Sequence, residues 1–456
     1  MPTVAAAVPV PRNDKRTIFG WAMYDWANSA YTTTTLAVLM PALFTGEIMP
    51  EGGFEILGRI FDGESLFGYT VSFAALLAFL LSPVLGAVGD FSGSKLKFLK
   101  VFAYAGAALS TLFALAGPGD VWYTIILFLV VESCWAIAAV FYDSFLPHIS
   151  SPDTIDKVSS KGYAFGYLGG GIQFLMSLIL LQLSPDSFAS AAARIGIVAA
   201  GIWWLGFAIF SFSRLQEPTE AEPLPTEFQN RWHPLAYAKV GFARTLATTR
   251  RLRRFPQLLL FLVAFLLYND GVQTVISISA PYATETLRLS TADVALAFLA
   301  VQVVAFGGAL AFGWLSGKIG VKAAILFSLV LWTGVSVMGY FLPTGAFLPF
   351  LGLAVSVGLV LGGTQALSRS LYGSMIPAEA SAEFYGFYSV FSKFASIWGP
   401  LVFALVNDIT GSSRNAILSL IFFFLTGFIL LSRVDIARAR QAKDQWRFEG
   451  ETVVVE

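Results

Sequence analysis

The sequence is poor in the features that soluble enzymes rely on. It has one cysteine in 456 residues, Cys134, so no intramolecular disulfide can form. Its two histidines, His148 and His233, are far apart in the chain, which argues against a histidine-built metal centre or catalytic cluster. Charged residues make up 13% of the chain, against about 25% in an ordinary soluble protein, and the formal charges cancel. No global field draws the protein to nucleic acid, and none is expected as a partner. A Gly-x-x-x-x-Gly-Lys-(Ser/Thr) phosphate loop is missing, so nothing supports ATP drive within this chain. No motif asks for a cofactor or a metal. The basic cluster near the N-terminus precedes an apolar run too long for a secretory signal, and no small-residue cleavage site follows it.

What the chain has in excess is apolar length. Hydrophobic residues reach 56%, and the mean hydropathy is +0.70. Apolar runs of about 20 residues, the length that crosses a bilayer, recur throughout. They fall near 18–44, 66–89, 98–117, 121–146, 163–183, 193–213, 257–282, 291–316, 321–342, 347–373, 384–408 and 413–433. The expectation is an all-α polytopic membrane protein with twelve transmembrane helices, and a bilayer as its surroundings. With the N-terminus inside, only six of the 29 basic residues escape the cytoplasmic segments: Arg59, Arg194, Arg288 and Arg414 fall outside, and Arg369 and Lys393 lie within helices. That bias predicts an N-in, C-in orientation. The domains expected are a bundle at 1–213, a linker at 214–256 and a second bundle at 257–456. The linker opens acidic and proline-rich. Its second part places Leu235, Phe242 and Leu246 on one helical face, which suits either a helix lying on the inner leaflet or a plain solvated linker.

Two features recur. The stretch 24-YDWANSA-30 sets an acid and an amide inside an apolar run, and 268-YNDGVQT-274 does so again. After the second span comes 86-GAVGDFSGSK-95, and after the eighth comes 313-GWLSGKIGVK-322, aligning Gly86 with Gly313, Gly93 with Gly320 and Lys95 with Lys322. An internal duplication is the simplest account, with extra length in the first external loop. Glycines at Gly86 and Gly93 let helix ends approach closely. Asp90 and Lys95 suit a charge latch at the cytoplasmic mouth, or Asp90 a helix cap. Gly317 stands where the second copy would need its acid, so any latch is asymmetric.

The Gly-x-x-x-Asp-x-x-Gly-x-Lys loop resembles the signature of the major facilitator superfamily. Further stretches, 141-FYDSFLP-147, 159-SSKGYAFGYLGGG-171, 362-GGTQALSRS-370, 383-EFYGFYSVFSK-393 and 398-WGP-400, run in order along nearly the whole chain. With 24-YDWANSA-30 they resemble the vacuole-effluxer-like transporters typified by an autophagy-related fungal amino-acid exporter. The resemblance implies the major facilitator fold, two six-helix pseudo-symmetric bundles, and for the fungal members efflux of amino acids. Asp143 departs from it, standing where the family pattern has Asn.

An ionisable group inside a spanning helix asks for a reason. Asp25 and Asn28 lie on one face of the first helix; Asn269, Asp270 and Gln273 lie near the middle of the seventh. The fold implied by the resemblance makes these two helices cavity-lining partners. It does the same for the fourth and tenth, which carry Glu132, and Gln365 with Arg369. Carboxylates, amides and one guanidinium suit a zwitterionic solute, and Asp25, Asp270 and Glu132 are candidate proton carriers. Against this, the amides also serve as glue between helices. Asp25 also fits a latch, and Arg369 a pairing with Asp143 or Glu383.

The leading expectation is a secondary transporter, not an enzyme. It would move a small polar solute, an amino acid by resemblance, with H⁺ coupling and export favoured, as a monomer in a prokaryotic inner membrane. A sensor or scaffold that kept the fold, and a membrane-embedded enzyme on lipid-linked substrates, are the alternatives.

Overall fold

In the computed structural model, residues 11–218, 233–252 and 255–444 are described. The architecture is almost wholly helical, apart from one two-stranded hairpin at Phe54–Ile56 and Arg59–Phe61 in the long first loop. The main helices of the first half are α1 (Lys15–Ala30), α2 (Gly63–Phe91), α3 (Lys95–Thr111), α4 (Val121–Ser144), α5 (Ile155–Leu183) and α6 (Ala189–Phe212). The second half has α7 (Pro256–Pro281), α8 (Thr291–Ile319), α9 (Val321–Tyr340), α10 (Phe347–Met375), α11 (Ser381–Phe394), α12 (Trp398–Thr410) and α13 (Ser413–Ser432). Among the described residues, eleven helical segments are long and apolar enough to cross a membrane, with α11 and α12 together forming one. The expected first span continues from α1 as π-helix at Tyr31–Leu39 and again at Phe44–Ile48, so it runs as helix to Ile48 in pieces.

Start signals are chemical. Asp14 accepts from the Thr17 backbone N–H and hydroxyl, both at 2.8 Å, and Ser290 and Asp293 form a capping box at α8. Several helices outrun their apolar runs. α5 begins at Ile155, eight residues before the expected span, and its 29 residues reach about 43 Å at 1.5 Å per residue. The surplus packs against the other half rather than entering solvent, which a hydropathy window cannot detect.

The core divides as the duplication predicts. One apolar cluster draws on residues between Trp21 and Leu215 with Ala382 added; another draws on residues between Leu258 and Ala439 with Val140 added. Each half is tied at its far end by an arginine clasping carbonyls. Arg194 donates to the carbonyls of Ala114 and Ala116, and Arg414 to those of Tyr340 and Leu342. Large apolar side chains such as Leu80, Ile126, Ile202, Val303, Val330 and Phe422 are exposed on the outer faces, the inverse of a water-soluble surface. This is a polytopic membrane protein.

Of the linker, the acidic proline-rich part beyond residue 218 lies outside the described residues. The helix His233–Leu252 packs Ala236 and Val240 against Phe91 of α2 and leaves Phe242 and Leu246 exposed.

Candidate functional site

The end of the molecule where α1 starts, termed basal here, is where the halves are most tightly joined by polar contacts. Arg369, near the basal end of α10, crosses from the second half into the first and is 2% exposed. Its Nη1 lies 3.0 Å from Asp143 Oδ1 of α4 and 3.3 Å from Asp25 Oδ2 of α1. Its Nε and Nη2 donate to the hydroxyl and carbonyl of Ser159 on α5, at 3.0 and 2.9 Å. The Tyr142 hydroxyl donates to Asp25 at 2.7 Å, and the rings of Tyr163 and Trp21 lie 4.2 and 4.9 Å from the guanidinium carbon. One cation thus serves two carboxylates. Of the two partners weighed for Arg369 against a solute-binding role, Asp143 and Glu383, Asp143 is found paired with it; the sharing with Asp25 could not be read from the chain.

A second basal cluster surrounds the loop signature. Asp90 pairs with Lys95 at 2.7 Å, and its two oxygens also accept from the backbone N–H groups of Ala382 and Glu383, at 3.2 and 2.7 Å. These are donors of the first turn of α11, where a carboxylate is favoured by geometry and by the helix dipole. The Asp90–Lys95 ion pair and the helix cap are therefore one arrangement. Lys95, wholly buried, also donates to Ser381 at 2.8 Å and sits 3.1 Å from His148 Nε2. Gly86 allows the approach: a Cβ there would lie 2.4 Å from the Ala382 carbonyl oxygen. Gly93 turns the loop with φ at +56°. In the second copy Gly320 takes φ at +88° and Lys322 instead holds the carbonyls of Ser432 and Val434. Glu217, unforeseen in the sequence, accepts from the N–H groups of Lys95 and Leu96 at 2.9 and 2.8 Å and caps α3. Burial lifts its carboxyl to about 7, against the opposing pull of those two donors and of Lys95. An acid following the sixth span was its only signal.

Above the Arg369 cluster lies a small, partly open cavity. Phe265, Tyr268, Asn269 and Gln273 line it from α7, Thr364, Gln365 and Ser368 from α10, Tyr388 and Ser392 from α11, and Tyr163 from α5. Tyr268 and Ser368 share a hydrogen bond at 2.6 Å, and Tyr167 donates to Gln365 Oε1. Asn269 is 5% exposed, and its Nδ2 has no hydrogen-bond partner among the described residues. Of the residues picked out from sequence, Asn269, Gln273 and Gln365 meet here. Asp25, Asn28, Glu132, Asp270 and Arg369 do not line this cavity.

Asp270 turns away from it. Its carboxylate accepts from Gly399 N at 2.8 Å and Trp398 N at 3.2 Å, the first donors of α12. The eleventh span is broken between Phe394 and Trp398, and Asp270 caps the second piece. Lys393, at the end of the first piece, reaches Glu132 of α4 at 3.0 Å. The Tyr31 hydroxyl approaches Glu132 at 3.4 Å, and Lys393 lies over the Trp135 ring. Lys393 was visible in sequence only as a cation inside a helix.

The family model described as Vacuole effluxer Atg22 like matches residues 13–444. An uncharacterized MFS-type transporter, YxiO, of Bacillus subtilis is 32% identical over 420 residues, 91% of this chain and 94% of its own. Autophagy-related protein 22-1 of Aspergillus niger is 29% identical over 300 residues; the match covers 62% of this chain and 48% of the fungal protein, so it takes in about half of that relative's length. Among solved structures, the major facilitator proton:xylose symporter XylE superposes with a TM-score of 0.69 at 12% identity, over 95% of this chain and 98% of that one. At that identity the likeness is one of fold. These relatives and neighbours are transporters, not enzymes.

Proposed function

The chain belongs to the vacuole effluxer Atg22-like family of major facilitator transporters, and we propose that it is a proton-coupled secondary transporter exporting a small polar solute by alternating access. The observation that carries this is Arg369. A cation from one half, held between two carboxylates of the other, closes one end directly beneath a polar cavity. Opening the cavity to that end requires this contact and the Asp90–α11 contact to part while others form, which is the exchange that alternating access consists of.

The lysine and arginine bias assigns the basal end to the cytoplasm, with both termini there. Twelve crossings follow when α1 and its π-helical continuation count as the first and α11 with α12 as the eleventh. The two bundles divide on either side of the 214–256 linker, and the working unit is one chain in a prokaryotic inner membrane. Proton coupling is supported by charge. Asp25 and Asp143 share one guanidinium, so this buried cluster carries one negative charge too many, and a proton on either carboxylate removes it. Glu132, bound to Lys393, is a second position for a proton. Export rests on the family description. An amino acid is the solute that resemblance to the fungal exporters names, and Glu132 with Lys393 could exchange partners with a zwitterion.

The experiment is flux into proteoliposomes of the purified protein, from a broad panel of metabolites, under an imposed pH gradient. Gradient-dependent movement of one solute, lost in Arg369→Ala, supports the reading. If no member of the panel moves, the transport reading fails; if one moves without regard to the gradient, proton coupling alone fails.

A further inference from the structure

The cavity's lining suggests a solute chemistry narrower than the one its neighbouring charges first bring to mind. Three lining residues each stand next to a formal charge in the chain: Asn269 beside Asp270, Ser368 beside Arg369, and Ser392 beside Lys393. In every case the charge points elsewhere. Asp270 is taken up by the first N–H groups of α12, Arg369 by Asp25, Asp143 and Ser159, and Lys393 by Glu132. The Tyr163 ring stands both against the guanidinium and in the cavity wall, so the lining meets Arg369 as an aromatic face rather than as a cation.

What remains facing the cavity is amide, hydroxyl, phenol and apolar ring. Asn269 Nδ2, buried without a partner, calls for an acceptor, because an unmet buried donor is penalised more than a made hydrogen bond is rewarded. Gln365 spends its carbonyl on the Tyr167 hydroxyl, which leaves its amide N–H groups as the atoms it can offer. Tyr268 and Ser368 satisfy each other. Asn269 and Gln365 thus offer donors, with Phe265 and Tyr388 supplying flat apolar surface. A carboxylate or ammonium brought here would be stripped of water and meet no counter-charge, which is strongly unfavourable.

We infer that the cavity takes an uncharged polar solute, one that offers hydroxyl or carbonyl oxygens to Asn269 and Gln365 and a C–H or planar face to the aromatic wall. This rests on the transport reading, and it opposes a zwitterion in this cavity.

The test is thermal unfolding of the full chain in detergent with three groups of probes at matched concentrations: uncharged monosaccharides, polyols and carboxamides; α-amino acids; and monocarboxylates. An uncharged probe is expected to raise the midpoint. Its apparent affinity should fall about tenfold in Asn269→Leu, the equivalent of one good hydrogen bond. Because Asn269→Leu could also disturb folding, Asn269→Asp is measured beside it. That variant keeps the side-chain shape, and it should weaken the uncharged probe while admitting amine-bearing ones. The comparison of saccharide, polyol and carboxamide separates hydroxyl from carbonyl recognition. The inference is overturned if uncharged probes leave the midpoint unmoved. It is also overturned if amino acids raise the midpoint in a way that Glu132→Gln or Lys393→Gln abolishes and Asn269→Leu does not. Either result leaves the transport reading standing, since that falls only if proteoliposomes move nothing from any group.

Discussion

Lys393 and Glu132, 261 positions apart, meet at 3.0 Å where α11 of the second half faces the middle of α4 of the first. Glu132 is nearly buried and Lys393 is 27% exposed at its side chain. Removing one partner strands the other charge, which costs about 3–5 kcal/mol for wholly buried pairs. With Lys393 only partly buried, Lys393→Gln should cost about 2 kcal/mol, and Glu132→Gln a similar amount. The double variant should lose far less than the two losses combined. Thermal unfolding of all four proteins in detergent checks this, and strictly additive losses would mean that the ion pair contributes nothing.

Much of the scaffold was legible because apolar length and duplication are local signals. The 24–30 and 268–274 stretches did mark corresponding helices, and Gly86, Asp90 and Lys95 did gather at one basal contact. Partnership across the halves was not legible. Nothing near Glu132 in the chain points to Lys393, because the facing of α4 and α11 is decided by how two bundles pack. Depth in the membrane identified Asp270 as unusual, yet its partner is backbone. The hint was Gly399-Pro400: proline has no N–H to donate and suits the first turn of a new helix, which leaves the donors of residues 398 and 399 needing a cap. Asp25 and Asp270 occupy corresponding stretches but go to an ion cluster between the halves and to a helix break, while the amides Asn269 and Gln273 reach the cavity.

The Arg369 cluster predicts an unequal response to removing its two acids. Asp25 accepts from Tyr142 and from two guanidinium nitrogens, whereas Asp143 meets Nη1 alone. Asp143→Asn restores one carboxylate to one cation, so it should be neutral or stabilising by up to about 1 kcal/mol. Asp25→Asn should destabilise by about 2 kcal/mol, and Arg369→Ala, which leaves two buried carboxylates facing each other, by more. The order of unfolding midpoints checks this; if Asp143→Asn proved the most damaging of the three, the assignment of the excess charge would be wrong.

At Gly86 the prediction concerns state rather than stability. A Cβ would collide with the backbone of α11 at Ala382, and backbone cannot swing aside as a flexible side chain would. Gly86→Val should therefore hold the basal ends of α2 and α11 apart. Ser381, fully buried beneath that contact, is the reporter. With Cys134 replaced by Ser, a cysteine introduced at 381 should resist a hydrophilic thiol reagent in the parent and react readily when Gly86→Val is added. Equal protection in both proteins would show that the close approach does not control access.

The broken eleventh span offers the most local test. Two N–H groups at the start of α12 depend on one carboxylate, and losing a cap of this kind typically costs about 1–2 kcal/mol. That loss should be felt where the helix begins, since among the described residues Asp270 makes no other side-chain bond that would spread it. Hydrogen exchange of the lipid-embedded protein should thus speed up in the segment spanning 395–401 in Asp270→Ala, with α13 and the first half unchanged. Asp270→Asn keeps one acceptor oxygen and should fall between the two. A carboxylate that mattered chiefly for the fold of the whole second half would instead raise exchange across α7 and α13 together. Unchanged exchange at Trp398 and Gly399 would mean that the half-helix holds its start without Asp270, and the break would have to be credited to Pro400 alone.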